Sequence, residues 1–171
     1  MEIRAIRNPY RFRYGATAAH RGFGLAPGQT PRHLIVVAAM SAHARMWFEQ
    51  AEADLRAAQL SASGGAHEWA CFQAQQAGEK ALKALLYGRG FTSIITHSLR
   101  RLVRECDVVD QSFRDLAEAA RLLDQHYIPT RYPNGLDEEI PPTRYYEKGD
   151  ADTCLQSARS ILERVRPFFA S

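Results

Sequence analysis

Tyrosine and arginine side chains are concentrated in one stretch of the chain, roughly residues 126–148. The stretch contains Tyr127, Tyr132, Tyr145 and Tyr146 together with Arg131 and Arg144. Aromatic rings can stack on nucleic-acid bases, and a guanidinium group binds phosphate through its planar fork of donors. The composition therefore fits binding of a nucleotide or of RNA. It fits equally well a connection whose rings hold it against the rest of the fold.

Other side-chain patterns argue against several kinds of site. The three cysteines (Cys71, Cys106 and Cys154) stand far apart, so no close pair indicates a zinc site or a redox motif, and their odd number gives no complete disulfide framework. The sequence has no glycine-rich phosphate loop and no serine-nucleophile motif. We therefore expect a protein without a metal or another cofactor, working in the reducing cytoplasm.

The net charge of +3 is unevenly distributed over the 171 residues. Residues 1–40 contain six arginines and one acidic residue, whereas residues 41–171 carry a net charge of −2. The first segment is rich in glycine and proline and has no apolar repeat of helix or strand. Two interpretations of residues 1–40 stay open: a disordered basic arm that contacts phosphates, or an over-extended gene start with translation beginning at Met40 or Met46.

Residues 41–169 are predicted to form one domain built only from helices. Apolar side chains recur every three or four residues in five segments, and no alternating segment of strand type has a convincing length. The predicted helices begin near Ser41, Ala66, Ser98, Gln111 and Asp150. A long loop rich in proline, tyrosine and arginine precedes the last helix. The fold class is therefore an all-α, up-and-down bundle of about five helices, and no apolar run approaches the roughly 20 residues needed to span a membrane.

Several polar and aromatic residues of this bundle are predicted to have structural rather than catalytic roles. In the second predicted helix, Trp69 is expected to face the core, whereas Glu79, Lys80 and Lys83 are expected to lie on a solvated face with local ion pairs. The alternative for the two lysines is contact with phosphate. His97 stands beside Ser98 just before the third helix, where capping is a more natural role than chemistry.

Five ordered motifs within residues 42–166 resemble the HEPN domain, a small helical bundle. The motifs are residues 47–51 with 54–55, residues 71–77 with 79–84, residues 97–99, Asp124 with residues 127–133, and residues 145–146 with 151–162. The resemblance implies a bundle that commonly forms a homodimer and is often encoded beside a minimal nucleotidyltransferase in toxin–antitoxin pairs. Many relatives are metal-independent ribonucleases, whereas others bind nucleotides or partner proteins.

The resemblance also implies a catalytic pair, Arg121 and His126. Ribonuclease-type relatives carry an arginine followed by a histidine at this spacing, and the pair here falls at the end of the fourth predicted helix. Because about two such spacings are expected by chance, the position carries the interpretation rather than the spacing. The imidazole would take the 2′-hydroxyl proton of RNA, and the guanidinium would stabilise charge on the phosphate. The alternative is a hydrogen-bonded histidine at a helix end.

Geometry sets a condition on this pair. On a continuous helix the two side chains would point about 140° apart. They can converge only if the helix ends before His126, which Pro129 favours, or if two subunits pool their residues.

The residues expected to contact a nucleotide or RNA lie in the loop: Tyr127, Thr130, Arg131, Tyr132, Arg144 and Tyr145. The resulting hypothesis is a cytoplasmic, homodimeric HEPN protein of a toxin–antitoxin-type module. It would pair with a minimal nucleotidyltransferase, bind RNA and be a candidate metal-independent endoribonuclease. The alternative is a non-catalytic protein that binds a nucleotide or docks the nucleotidyltransferase.

Overall fold

The structure, a computed structural model, describes residues 40–136 and 140–170, and over these ranges it contains helices and turns but no strand. The α-helices are α1 (Ala42–Ser63), α2 (His67–Gly88), α3 (Leu99–Val109), α4 (Ala117–Gln125), α5 (Pro142–Tyr145) and α6 (Lys148–Val165). Short 3-10 helices span Gln111–Leu116, Pro133–Gly135 and Arg166–Phe168. The predicted all-α bundle is confirmed. Besides its five longer helices, it contains the four-residue helix α5, which lies in the loop between α4 and α6. The two interpretations of residues 1–40 concern a segment that, apart from Met40, lies outside the described residues.

Helix α2 is the centre of the bundle and packs against α1, α3, α4 and α6. Gly78, midway along α2, permits this close packing. A Cβ atom at Gly78 would lie 2.8 Å from Leu99 Cδ2, 3.2 Å from Ile161 Cδ1 and 3.4 Å from Leu123 Cδ1. These three side chains come from α3, α6 and α4, so the absence of a side chain at Gly78 lets three helices approach α2 at one level.

Most helix boundaries follow local signals in the sequence. Ser41 caps α1 by accepting a hydrogen bond from the Ala44 amide at 3.2 Å. Gly65, which follows the end of α1, has a φ of 81°, a conformation that glycine adopts without steric cost. Helix α6 begins two residues earlier than predicted, because Glu147 and Asp150 form a reciprocal capping box at its first turn.

Two expectations about the helices are wrong. Residues 111–116 form a 3-10 helix, and the α-helical part of the fourth helix begins only at Ala117. The Asp110 carboxylate causes part of this difference, because it accepts a hydrogen bond from the Ser112 amide at 2.9 Å and so begins a tight turn. Trp69 is 47% exposed. It lies between the buried residues Glu68 and Ala70, each about 100° away around the helix, and its ring packs edge-on against Phe72.

No helix in residues 40–136 and 140–170 combines the length and the hydropathy that crossing a membrane requires.

A single carboxylate joins α4 to α3. Asp124 accepts hydrogen bonds at the start of α3 from the Ser98 hydroxyl at 2.7 Å, from the Leu99 amide at 2.7 Å and from the Arg100 amide at 3.2 Å. Amide groups in the first turn of a helix have no partner within that helix, so a carboxylate from a neighbouring helix satisfies them and also complements the helix dipole. The position of α3 against α4 therefore depends on Asp124.

We expect Asp124→Ala to lower the free energy of unfolding by about 2 kcal/mol, because the substitution leaves the first amides of α3 and the Ser98 hydroxyl without their acceptor. Urea denaturation followed by circular dichroism measures this loss. The matched control is Asp115→Ala, which removes an exposed carboxylate whose ion pair with Arg164 spans 4.0 Å and should change stability by less than about 0.5 kcal/mol. Equal losses in the two variants would contradict the capping role.

Candidate functional site

The chain turns away from the α4 axis directly after Gln125. His126 occupies the C-cap position, and its amide donates to the Leu123 carbonyl at 3.1 Å. The following turn is held by the Thr130 hydroxyl, which donates to the His126 carbonyl at 2.6 Å. Thr130 is buried, so this predicted binding residue supports the turn from within. The helix thus ends before His126, which meets one of the two conditions for the catalytic pair.

Arg121 lies on the exposed face of α4 and borders a shallow cavity of about 440 Å³. Its guanidinium donates three hydrogen bonds to the Glu118 carboxylate, the shortest at 2.6 Å, and this pairing lowers the pKa of Glu118 and raises that of Arg121. The cavity is lined by Ser98, Arg100, Arg104, Arg121, Asp124 and Gln125. We call it the basic cavity, because three of its six residues are arginines.

Arg100 and Arg104 extend the predicted site. They stand one helical turn apart on α3, and their guanidinium groups make no hydrogen bond or ion pair within the described part of the chain. The sequence did contain a signal, since three arginines occur between residues 100 and 104. The sequence alone does not link these arginines to Arg121, because they come together only when α3 packs on α4.

His126 faces the interior rather than the basic cavity. Its Nδ1 atom lies 3.3 Å from the Tyr146 hydroxyl, and the two rings meet edge-on. On another side, one ring nitrogen of His126 and the sulfur atoms of Cys71 and Cys154 all lie within 4.8 Å of one another. Burial lowers the pKa of His126, and the nearby Asp150 carboxylate opposes this effect only in part. The imidazole is therefore neutral at pH 7.

Arg121 and His126 have different surroundings within one protomer. The guanidinium is exposed and paired with Glu118, whereas the imidazole is half-buried beside Tyr146. An Arg–His pair that acts on one phosphate would have to draw the two groups from different protomers or rotate one of them.

Arg131 forms the centre of a second polar surface. Its guanidinium donates to the Tyr127 carbonyl through Nε at 2.9 Å and Nη2 at 2.6 Å. The guanidinium carbon lies 4.6 Å, 4.5 Å and 5.2 Å from the ring centroids of Phe72, Tyr127 and Tyr132, within the range of cation–π contacts. Tyr127 also stacks on His97, with 5.4 Å between the ring centroids. We call these five residues the aromatic–arginine cluster.

The remaining predicted binding residues are accessible. Tyr132 and Tyr145 are 49% and 42% exposed, and Arg144 is exposed in the short helix α5. Tyr145 packs edge-on against the buried Tyr146. The structure therefore brings Tyr127, Arg131 and Tyr132 together in one cluster and places Arg144 and Tyr145 on α5.

A buried polar network in α2 lies against this cluster. The Lys83 ammonium donates to Glu79 Oε1 at 2.8 Å, and His97 Nδ1 lies 3.1 Å from the same oxygen. The Gln75 amide donates to Glu79 Oε2 at 3.3 Å and to the His97 carbonyl at 3.2 Å. The expected ion pair is present, but the expected solvated face is wrong, since Glu79 and Lys83 are both 4% exposed. The segment around His97 covers them on one side, and the Trp47 ring lies 5.7 Å from the Lys83 ammonium.

The fold and these motifs define a known class of helical domain. The HEPN domain family matches residues 44–167, and the chain belongs to this family. The predicted HEPN resemblance is thereby confirmed.

Three solved structures and one further protein show how widely the likeness extends. TT1696 from Thermus thermophilus is 41% identical with a TM-score of 0.66, and the match covers 75% of this chain and 99% of that one. ST0689, an archaeal HEPN homologue, is 37% identical with a TM-score of 0.61, and the match covers 74% and 98%. A HEPN domain protein from Thermotoga maritima is 25% identical with a TM-score of 0.56, and the match covers 71% and 95%. A Methanocaldococcus jannaschii protein provisionally named as a toxin is 27% identical over 133 residues, which is 74% of this chain and 88% of that protein.

We expect Lys83→Met to lower the free energy of unfolding by about 3 kcal/mol, because it leaves the buried Glu79 carboxylate without its cation. The control is Lys148→Met, which breaks a pair of the same helical spacing that is exposed to solvent, and its cost should stay below about 0.5 kcal/mol. Urea denaturation of both variants at one pH gives the comparison. A Lys83→Met variant as stable as the parent would show that the network tolerates an unpaired carboxylate.

Proposed function

We propose that this HEPN protein is the toxin of a toxin–antitoxin-type module and that it binds RNA. The observation that carries the proposal is the basic cavity, in which Arg100, Arg104 and Arg121 surround about 440 Å³ of accessible space. The toxin name of the relative from Methanocaldococcus jannaschii supports the assignment to a module. A cytoplasmic location, a homodimer and a partner that is a minimal nucleotidyltransferase complete the proposal.

The charges around the basic cavity suit a phosphate group. Arg100 and Arg104 have no carboxylate partner among the described residues, and Asp124 is engaged by the start of α3. The ion pair between Arg121 and Glu118 is exposed, so exchanging Glu118 for a phosphate costs little. Since residues 41–171 carry a net charge of −2, a polyanion is attracted to this part of the chain by local groups of cations such as this one rather than by its net charge.

The aromatic–arginine cluster supplies a complementary surface for bases. The rings of Tyr127 and Tyr132 lie on the Arg131 guanidinium, and Tyr132 keeps half of its surface exposed. Stacking on aromatic rings and on arginine is the usual way in which proteins hold unpaired RNA bases. The basic cavity includes residues from the end of α4, and this cluster includes residues from the turn that follows it. A single strand is therefore the form of RNA that we propose.

We expect Arg104→Ala to weaken binding of a fluorescent single-stranded RNA about 10-fold at low salt, because one phosphate contact is lost. The slope of log affinity against log salt should fall by about 0.7 for the same reason. Fluorescence anisotropy across a salt series measures both quantities. Arg159→Ala is the control, since it removes the same charge from an exposed position on α6. Equal weakening by the two variants would indicate attraction to net charge rather than a site.

We further propose that the protein cleaves bound RNA and that no metal ion contacts the reacting atoms. The neutral His126 imidazole would take the proton from a 2′-hydroxyl, and the 2′-oxygen would attack the adjacent phosphorus to form a 2′,3′-cyclic phosphate. The bond from phosphorus to the 5′-oxygen would break, and the leaving oxygen would take a proton from water to give a 5′-hydroxyl. The Arg121 guanidinium would stabilise the additional negative charge. Because the two groups have different surroundings in one protomer, the proposal places them together across the homodimer.

We expect the parent protein to cleave single-stranded RNA in the presence of EDTA and His126→Ala to cleave it at least about 100-fold more slowly, because the general base is lost. His43→Ala, a change to an exposed histidine of α1, should cleave like the parent. Mixing Arg121→Ala with His126→Ala protein should restore about a quarter of the parent activity if the groups come from different protomers. Gel analysis of labelled RNA gives the cleavage rates of the parent, of the His126→Ala and His43→Ala variants, and of the mixture.

Two outcomes would contradict cleavage: no activity of the parent, or equal activity of His126→Ala. If RNA is not cleaved but a complex with the nucleotidyltransferase forms and is weakened by Tyr132→Ala, the protein is the non-catalytic docking partner. The exposed rings of Trp69 and Tyr132 favour this second candidate function, since aromatic residues are enriched in protein interfaces.

A further inference from the structure

We propose that Cys71, His126 and Cys154 form a binding site for one zinc ion. The three residues come from α2, from the end of α4 and from α6, and their candidate ligand atoms all lie within 4.8 Å of one another. Tetrahedral zinc with its usual bonds to sulfur places two sulfur ligands about 3.8 Å apart. The side chains therefore need to move by about 1 Å at most to close around an ion. The cysteines are far apart in the sequence, so their spacing does not reveal the cluster.

The kind of ligand favours zinc over other ions. Two thiolates and an imidazole are ligands of zinc and copper, whereas calcium and magnesium require oxygen. A divalent ion with two thiolates and a neutral imidazole gives a site without net charge, which suits a place where both cysteines are completely buried. Monovalent copper would leave a buried negative charge. Three protein ligands also leave one tetrahedral position for a small ligand such as water.

The residues around the cluster hold the His126 ring in an orientation that suits metal binding. His126 is held at hydrogen-bond distance from the Tyr146 hydroxyl, and partners of this kind orient the histidine ligands of metal sites. A hydrogen bond with Cys71, together with burial, raises the pKa of the Cys154 thiol. Zinc binds cysteine as the thiolate, so coordination at Cys154 releases the thiol proton.

Zinc binding and the proposed cleavage reaction exclude each other at His126. A coordinated imidazole has no lone pair left with which to accept a proton from RNA. Zinc would hold the turn after α4 against the bundle, and removal of the ion would free the imidazole. The cleavage assay in EDTA therefore tests the catalytic role in the zinc-free protein, and metal binding is tested on the protein alone.

The experiment uses the full chain, purified under reduction and dialysed against a small excess of zinc. We expect about one zinc ion per chain by mass spectrometry of the metal, and a melting temperature raised by about 5–10 °C at a free zinc concentration near 100 times the dissociation constant. Cobalt used in place of zinc should show the near-ultraviolet absorption of cobalt–thiolate bonds and the visible bands of a tetrahedral ion.

The chain contains its own control. Cys106 is as completely buried as the two ligands, but it lies outside the cluster. Cys106→Ala should therefore keep the zinc content and the cobalt spectrum, whereas Cys71→Ala and Cys154→Ala should each lose the cobalt–thiolate absorption and most of the zinc. Two ligand variants are included so that the failure of one to fold leaves the other, with circular dichroism as the check.

Three results would overturn the zinc site. The first is a reduced parent protein that retains less than about 0.1 zinc per chain and shows no cobalt–thiolate absorption. The second is equal zinc content in Cys71→Ala and Cys106→Ala, which would indicate an adventitious ion only. The third is a disulfide between Cys71 and Cys154 in the purified chain together with no metal binding after reduction. None of these results depends on RNA binding or cleavage, so the zinc site and the proposed function can fail separately.

Discussion

The arrangement of α3 and α4 depends on the Asp124 carboxylate. It accepts hydrogen bonds from the first amides of α3 and from Ser98 while belonging to the last turn of α4. This contact decides which face of α3 lies beside α4, and therefore decides that Arg100 and Arg104 share a cavity with Arg121. A carboxylate in the lining of a cationic cavity would normally weaken anion binding. Here the amides at the start of α3 offset part of its charge, so the three guanidinium groups keep most of their attraction for phosphate.

The end of α4 determines what His126 can do. Because the helix stops at Gln125 and Thr130 holds the next turn, the imidazole points to Tyr146 and the two buried cysteines instead of continuing the exposed face of Arg121. In this position the ring is neutral and only half-buried. Under the two proposals, the same ring would serve as a proton acceptor in the metal-free protein and as a ligand when Cys71 and Cys154 bind zinc.

The sequence predicts those parts of the structure that local patterns determine. The apolar period indicated the bundle, and Ser41 marked the start of α1 because a capping serine acts within one turn of its own position. Five ordered motifs, of which Asp124 with residues 127–133 is one, indicate the family through their order and spacing, and the family match confirms that prediction.

Features that depend on packing between distant segments could not be predicted. Glu79 and Lys83 look like a solvated pair because their spacing on a helix says nothing about the His97 segment that covers them. Trp69 is predicted to face the core, yet it is 47% exposed between the buried residues Glu68 and Ala70. The three arginines of the basic cavity come together only when α3 packs on α4. Cys71, His126 and Cys154 come together only when α2, the end of α4 and α6 have packed.

The way Arg131 is held has a consequence for selectivity. Most surface arginines are flexible, and a ligand that binds them must bear the entropy lost when several rotatable bonds are frozen. Here the Tyr127 carbonyl and three rings have already fixed the side chain. The group presented to a ligand is thus a rigid, flat cation rather than a mobile charge. It binds most favourably to a ligand with a planar face that can stack on it. A compact anion gains comparatively little from it, so this surface discriminates by shape before it discriminates by charge.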